Sequence, residues 1–169
     1  MMSAEPCLEL VKTLPIPAIP PFDVRAHFNP GATTEVVIGD VGDHFWGMFA
    51  SERVDREDEP EMPATILQIH NLVKPVDSLA LIAELGEVKA GITLGQMWEV
   101  LKVQGQEHDE ESLPFIICFV RLQQDGELWV VCFGWESEDS DLRGWEVGAC
   151  KPEWSGDWNV PAMVISRAA

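Results

Sequence analysis

The sequence predicts an α+β fold: an antiparallel β-sheet ending in a C-terminal four-strand meander, two short helices packed on one face, and a Pro-rich N-terminal arm. Three observations carry this expectation. Residues 115–166 alternate apolar runs with turn chemistry, the pattern of consecutive antiparallel strands. Two segments between residues 77 and 105 place apolar residues at helical spacing behind a capping residue. Residues 15–21 hold four prolines, each removing a backbone donor and favouring polyproline II. A chain of 169 residues with 46% apolar content suits one domain, placed at residues 34–169, with the arm at 1–33.

In the arm, Ile16, Ile19 and Phe22 are expected to lie along the domain surface. Residues 35–38 are largely β-branched, 39–43 are glycine- and aspartate-rich, and 44–50 are aromatic-rich, which reads as two strands around a turn. Residues 52–61 carry six acids and two arginines; with Pro60 and Pro63 closing it, this stretch reads as an exposed loop. In 65–72, Ile66, Leu67 and Ile69 are set against Gln68, His70 and Asn71, a strand pattern. Asp77 is a good N-cap for a helix through Leu79, Leu81, Ile82 and Leu85, ended by Gly86. Thr93-Leu94-Gly95-Gln96 forms a capping box, with Ile92 and Met97 at the hydrophobic-staple positions. Leu94, Met97, Trp98 and Leu101 continue as one stripe, and Gly105 is expected to stop the helix.

The meander begins with strands at 115–122 and 128–135, and Gly126 is suited to the left-handed conformation of the turn between them. A three-residue loop would pair Leu122 with Leu128, and Cys118 with Cys132. A two-residue loop would pair Leu122 with Trp129 and separate the cysteines. Both strands are apolar on nearly every position, so both faces should be covered. The helices suit one face; the arm, the first hairpin or a second copy of the chain suits the other. Residues 145–149 and 160–166 supply the third and fourth strands.

Chemistry-bearing patterns are sparse. Cys7, Cys118, Cys132 and Cys150 show no metal-type or redox-type spacing, so reduced, structural thiols and a cytoplasmic location are expected. The N-terminus shows no basic-then-apolar export pattern, and no apolar run reaches the ~18 residues of a membrane span. Asp40, Asp43 and His44 could offer ligands from one turn, yet no His-x-x-x-His repeat accompanies them. No nucleophile elbow, phosphate loop or dinucleotide fingerprint occurs. No catalytic residue, metal or cofactor is therefore expected.

Charge is the first anomaly. Acids number 29 against 11 lysines and arginines, a balance of -18, where a small domain usually carries a magnitude of about 2–8. Such a surface argues against direct binding of nucleic acid or an anionic membrane. Spread evenly over about 8,000 Å², the charges would sit well beyond the ~8 Å Debye length from one another. They are not even: residues 52–61, 107–111 and 136–141 each carry a net charge of -4. Tryptophan is the second anomaly, with five of seven between residues 129 and 158.

The leading expectation is a non-catalytic interaction module that docks negative loops on a basic protein surface, as an inhibitor, immunity protein or nucleic-acid mimic does. Its contacts would be Glu57, Asp58, Glu59, Asp109, Glu110, Glu111, Glu136, Glu138, Asp139 and Asp141, with Trp135, Trp154 and Trp158 as apolar anchors. One alternative is a small hydrolase or ligand-binding domain with a pocket near Asp40, Asp43 and His44 against the Trp-rich sheet. A third is a homodimer or larger homo-oligomer built on the doubly apolar hairpin.

Overall fold

Alternation along the strands sorts side chains onto two faces, and the chain covers both. The computed structural model describes residues 5–30, 35–50, 58–107, 113–122, 126–136 and 143–168. Its strands are β1 (Leu8–Ile16), β2 (Ile38–Val41), β3 (Thr65–Leu72), β4 (Val76–Asp77), β5 (Gly91–Ile92), β6 (Ile116–Arg121), β7 (Leu128–Glu136), β8 (Gly144–Cys150), β9 (Asp157–Trp158) and β10 (Met163–Arg167). The helices are α1 (Val24–His27), α2 (Asp43–Phe45), α3 (Ser78–Leu85), α4 (Glu87–Ala90) and α5 (Leu94–Glu107). The architecture is mixed α+β, with one large, mostly antiparallel sheet in the order β1-β3-β10-β6-β7-β8-β2 and β5 beside β6. A two-stranded ribbon, β4-β9, stands apart.

Three strands, β6-β7-β8, form the expected antiparallel meander. The fourth does not extend it. β10 lies on the other side of β6, parallel to it and antiparallel to β3. After β8 the chain makes a 3-10 turn at Pro152–Trp154 and pairs β9 with β4. Burial of Trp158 and Ala162 against the α3 side of the sheet then carries it across that face. Apolar alternation predicts that a strand exists; it does not choose the strand's neighbour.

The two helices also part company. Leu94, Met97, Trp98 and Leu101 of α5 join one core with Phe28, Phe45, Cys118, Val131 and Phe133. Leu81 of α3 joins the other with Ile117, Phe119, Val130 and Val164. Consecutive residues of β6 and β7 thus feed opposite cores, and the hairpin is covered without a second subunit. Its register matches neither expected loop: Arg121 lies opposite Leu128, and Leu122 donates its N–H to the Glu127 carbonyl at 2.9 Å. Cys118 therefore faces Val131, while Cys132 faces Ile117 on the other side of the sheet. Gly126 has the left-handed φ of 73° expected of it.

The N-terminal segment is part of the sheet and core. β1 pairs with β3 along its length as the edge strand, with a bulge between Leu10 and Lys12. Phe22, Val24 and Phe28 are buried, and Phe28 packs its ring 5.2 Å from Trp98 and 5.5 Å from Phe45. Residues 44–50 are helical where a strand was expected: α2 runs into a π-helical turn at Trp46–Ala50. Phe45 and Phe49, one helical turn apart, both enter the core and stack at 5.3 Å. On the neighbouring strand pair, Gly144 begins β8 at φ 139°, and an added Cβ would stand 2.6 Å from the Gly39 nitrogen of β2. Only glycine fits there.

The capping box of α5 forms as expected: Gln96 N–H donates to Thr93 Oγ1 at 3.1 Å, and Thr93 N–H to Gln96 Oε1 at 3.0 Å. Glu59 completes it, contrary to its expected place in an exposed loop. The residue is 8% exposed, and its carboxylate accepts from Leu94 N–H at 3.0 Å and Gly95 N–H at 2.8 Å. A negative group on these otherwise unpaired donors also meets the positive end of the helix dipole. The backbone holds it in place through reciprocal bonds of Glu59 with Phe22 and of Met62 with Ile19. The helix passes Gly105 and ends at Glu107, because one glycine costs only about 1 kcal/mol.

Two substitutions, one at the cap of this helix and one within it, should move stability in opposite directions. Glu59→Ala removes a charged acceptor from two buried donors and is expected to cost about 2–3 kcal/mol in urea unfolding. Gln104 is fully buried, with neither amide atom hydrogen-bonded among the described residues. Gln104→Leu should therefore raise the unfolding free energy by about 1–2 kcal/mol in the same measurement.

Candidate functional site

The acidic segments attach at two ends of the sheet. Residues 107 and 113 flank one segment, and 136 and 143 flank another; both open where β6 begins and β7 ends, since Ile116 lies opposite Phe133. The 52–61 segment attaches at the other end: Phe49 packs edge-on to Trp129 at 6.4 Å, and Glu59 caps α5 beside the β5–β6 pairing at Ile92 and Val120. With 14 residues in α5, the two ends lie about 20 Å apart along the helix.

Of the acids singled out, Asp58 is exposed and Glu59 is the buried cap. Glu136 is the last residue of β7. Glu57, Asp109, Glu110, Glu111, Glu138, Asp139 and Asp141 lie outside the described residues.

The three tryptophans do not gather. Trp135 is half-buried against the core that α5 covers, edge-on to Trp145 at 5.6 Å. Trp158 sits on the opposite face, where its indole N–H donates to Ser78 Oγ at 2.7 Å, the geometry of a loop anchor. Trp154 is 56% exposed. Its ring stands 6.0 Å from His44 and 5.8 Å from Trp129, with the Lys151 ammonium 5.3 Å over it. Asp40, Asp43 and His44 are exposed, and no cluster of three metal-ligating side chains occurs among the described residues.

A cleft of about 380 Å³ lies between residues 19–22 and the outer face of α5. Phe22 stacks on His27 at 4.2 Å, and His27 meets the Trp98 ring edge-on at 4.9 Å. His27 Nδ1 lies 2.7 Å from the Asp23 carbonyl, which assigns the donor proton to that nitrogen. Glu35, Glu99 and Lys102 form the polar side. Lys102 Nζ reaches Glu99 at 2.9 Å and Glu35 at 3.7 Å. The hydrogen bond to Glu99 raises the Lys102 pKa above the usual lysine range despite some desolvation. Gly95 permits the close crossing, since an added Cβ would meet Ile19 and Phe22 at 3.2 Å.

A smaller cleft of about 190 Å³ includes Arg121, Arg167, Thr93 and Glu59. An anion there would meet the helix N-terminus, but the Glu59 carboxylate already occupies those donors. Neither cleft includes Asp40, Asp43 or His44.

Burial pushes the Cys118 thiol well above its ordinary pKa and Cys132 up to about 11, so neither offers a thiolate near neutrality. Sequence spacing missed one serine–histidine pair, separated by 96 residues: His70 Nε2 and Ser166 Oγ are 3.0 Å apart. Ser166 is fully buried and His70 is 8% exposed, which closes the pair to substrate. It ties β3 to β10 across the interior. Burial lowers the His70 pKa, opposed by Glu84.

That shift has a defined sign. The unfolded chain takes the proton first, so the stability contributed by neutral His70 is intact above about pH 6.5 and declines as pH falls from there toward the native pKa. Urea midpoints between neutral and mildly acidic pH should fall for the native chain and fall less for His70→Gln. Parallel curves would remove the assignment.

No described helix is long and apolar enough to cross a membrane. Compared with known proteins, the chain matches no family model, no curated protein and no solved structure at a significant level.

Proposed function

We propose that this chain is a non-catalytic acidic module that docks on a basic protein surface, as an inhibitor or antagonist would. The carrying observation is the clustering of charge: three short segments hold two-thirds of a net charge of -18. Two of them attach at the same end of the sheet, and the third attaches about 20 Å away along α5. A standard interface buries about 800 Å² on each partner and is roughly 30 Å across, so one partner can meet all three. The exposed Trp154 supplies the kind of apolar anchor that binding sites concentrate. On this proposal the chain sits wherever its partner does, with a cytoplasmic setting favoured by its cysteines, all four present as free thiols.

The experiment is capture from a native lysate with salt-gradient elution, followed by reconstitution with the purified partner. Changing Asp109, Glu110, Glu111, Glu138, Asp139 and Asp141 to their amides should slow association about tenfold or more at low salt. The melting temperature should hardly change. Affinity that is the same at low and high ionic strength, or insensitive to these changes, overturns the proposal.

A further inference from the structure

We infer that the cleft between residues 19–22 and α5 receives an arginine side chain of the basic partner; this rests on the docking function proposed above. Three features converge on that ligand. The first is shape: on the aromatic side of the cleft the half-buried His27 ring is backed by buried Phe22 and Trp98, which gives a flat cation a rigid imidazole to stack on. A guanidinium is planar, weakly hydrated and stacks on rings, whereas an ammonium is a compact, strongly hydrated point charge.

The second is local charge. Among the described residues Glu35 and Glu99 share one cation, Lys102, and the bridge to Glu35 is the long one at 3.7 Å, with the Glu35 side chain 77% exposed. One carboxylate is left under-neutralised, and a guanidinium can pair with it through two parallel N–H donors. Lys102 thereby acts as the internal competitor for the incoming side chain. The third is position. The cleft follows α5 from Gly95 to Lys102; the 52–61 segment attaches at the start of that helix and the 107–111 segment begins at its end. A basic partner drawn to both segments would bring its side chains over this helix face.

The test is an NMR titration of the full chain at low salt with hexa-arginine and hexa-lysine peptides, read at the His27 ring and the Trp98 indole. Saturable shifts at both residues are expected with hexa-arginine, with at least about threefold weaker binding of hexa-lysine, the scale of one well-placed ion pair. Lys102→Met should tighten hexa-arginine binding by about the same factor relative to Lys89→Met, which removes an equal charge from exposed α4. Glu35→Gln, at an exposed position that leaves the fold intact, should weaken it.

Hexa-arginine that binds without shifting His27 or Trp98 overturns the cleft assignment and leaves the docking function standing. Equal effects of Lys102→Met and Lys89→Met also overturn it. Failure of both peptides to bind at low salt removes the docking function, and the cleft assignment with it.

Discussion

The Glu59 carboxylate on the N-terminus of α5 is the contact through which distant parts of this fold are fixed. The carboxylate of a residue only 8% exposed would be costly to bury without partners. Here two backbone donors and the helix dipole satisfy it. Its own backbone bonds to Phe22 set the segment at residues 19–22 against the helix, and Gly95 lets that segment approach. The same contact therefore defines where α5 starts and where the cleft lies. The capping box alone would specify the helix end but leave the segment above it unplaced.

Sequence patterning made the local elements legible wherever one residue dictates its neighbours. Thr93 and Gln96 specify a helix start because their partners lie three residues apart, and Asp77 and Gly86 bound α3 for the same reason. Continuous apolar content in β6 and β7 predicted burial on both faces, and the two separate cores account for it. The assignment of helices to faces failed because amphipathicity shows which side of a helix is buried, not what buries it. The placement of β10 failed similarly: Val164 and Ile165 feed opposite cores, and such a strand can sit beside any apolar neighbour. The aromatic run at 44–50 misled because aromatic content raises strand propensity, while the spacing of Phe45 and Phe49 satisfies a helix.

The candidate site was less legible, for a different reason. Glu59 reads in sequence as one acid of a cluster, and only the fold separates it from exposed Asp58 next to it. His70 and Ser166 meet across 96 residues, and the cleft joins residues 19–22, Glu35 and α5; no local pattern encodes either. Trp154 is exposed among polar neighbours, which leave a large ring no interior to enter. Trp158 has similar neighbours, but Ser78, 80 residues away, captures its indole N–H.

The excess of acid needs an explanation outside the fold. The described core contacts are mainly apolar, and the buried Glu59 carboxylate takes two backbone N–H donors. A net charge of -18 repels itself and therefore works against compaction. Solubility alone is served by charge of either sign distributed over the surface, and it needs no clustering. Clustering raises the repulsion within each segment while concentrating the field that a cation meets on approach. At physiological salt that field fades over about 8 Å, a distance shorter than the span of α5, so the segments at its two ends act on different parts of a partner. Recognition then depends on a partner whose basic groups are spaced to meet the segments, and on contacts between them, where the cleft of residues 19–22 and α5 lies, to separate that partner from any other cation.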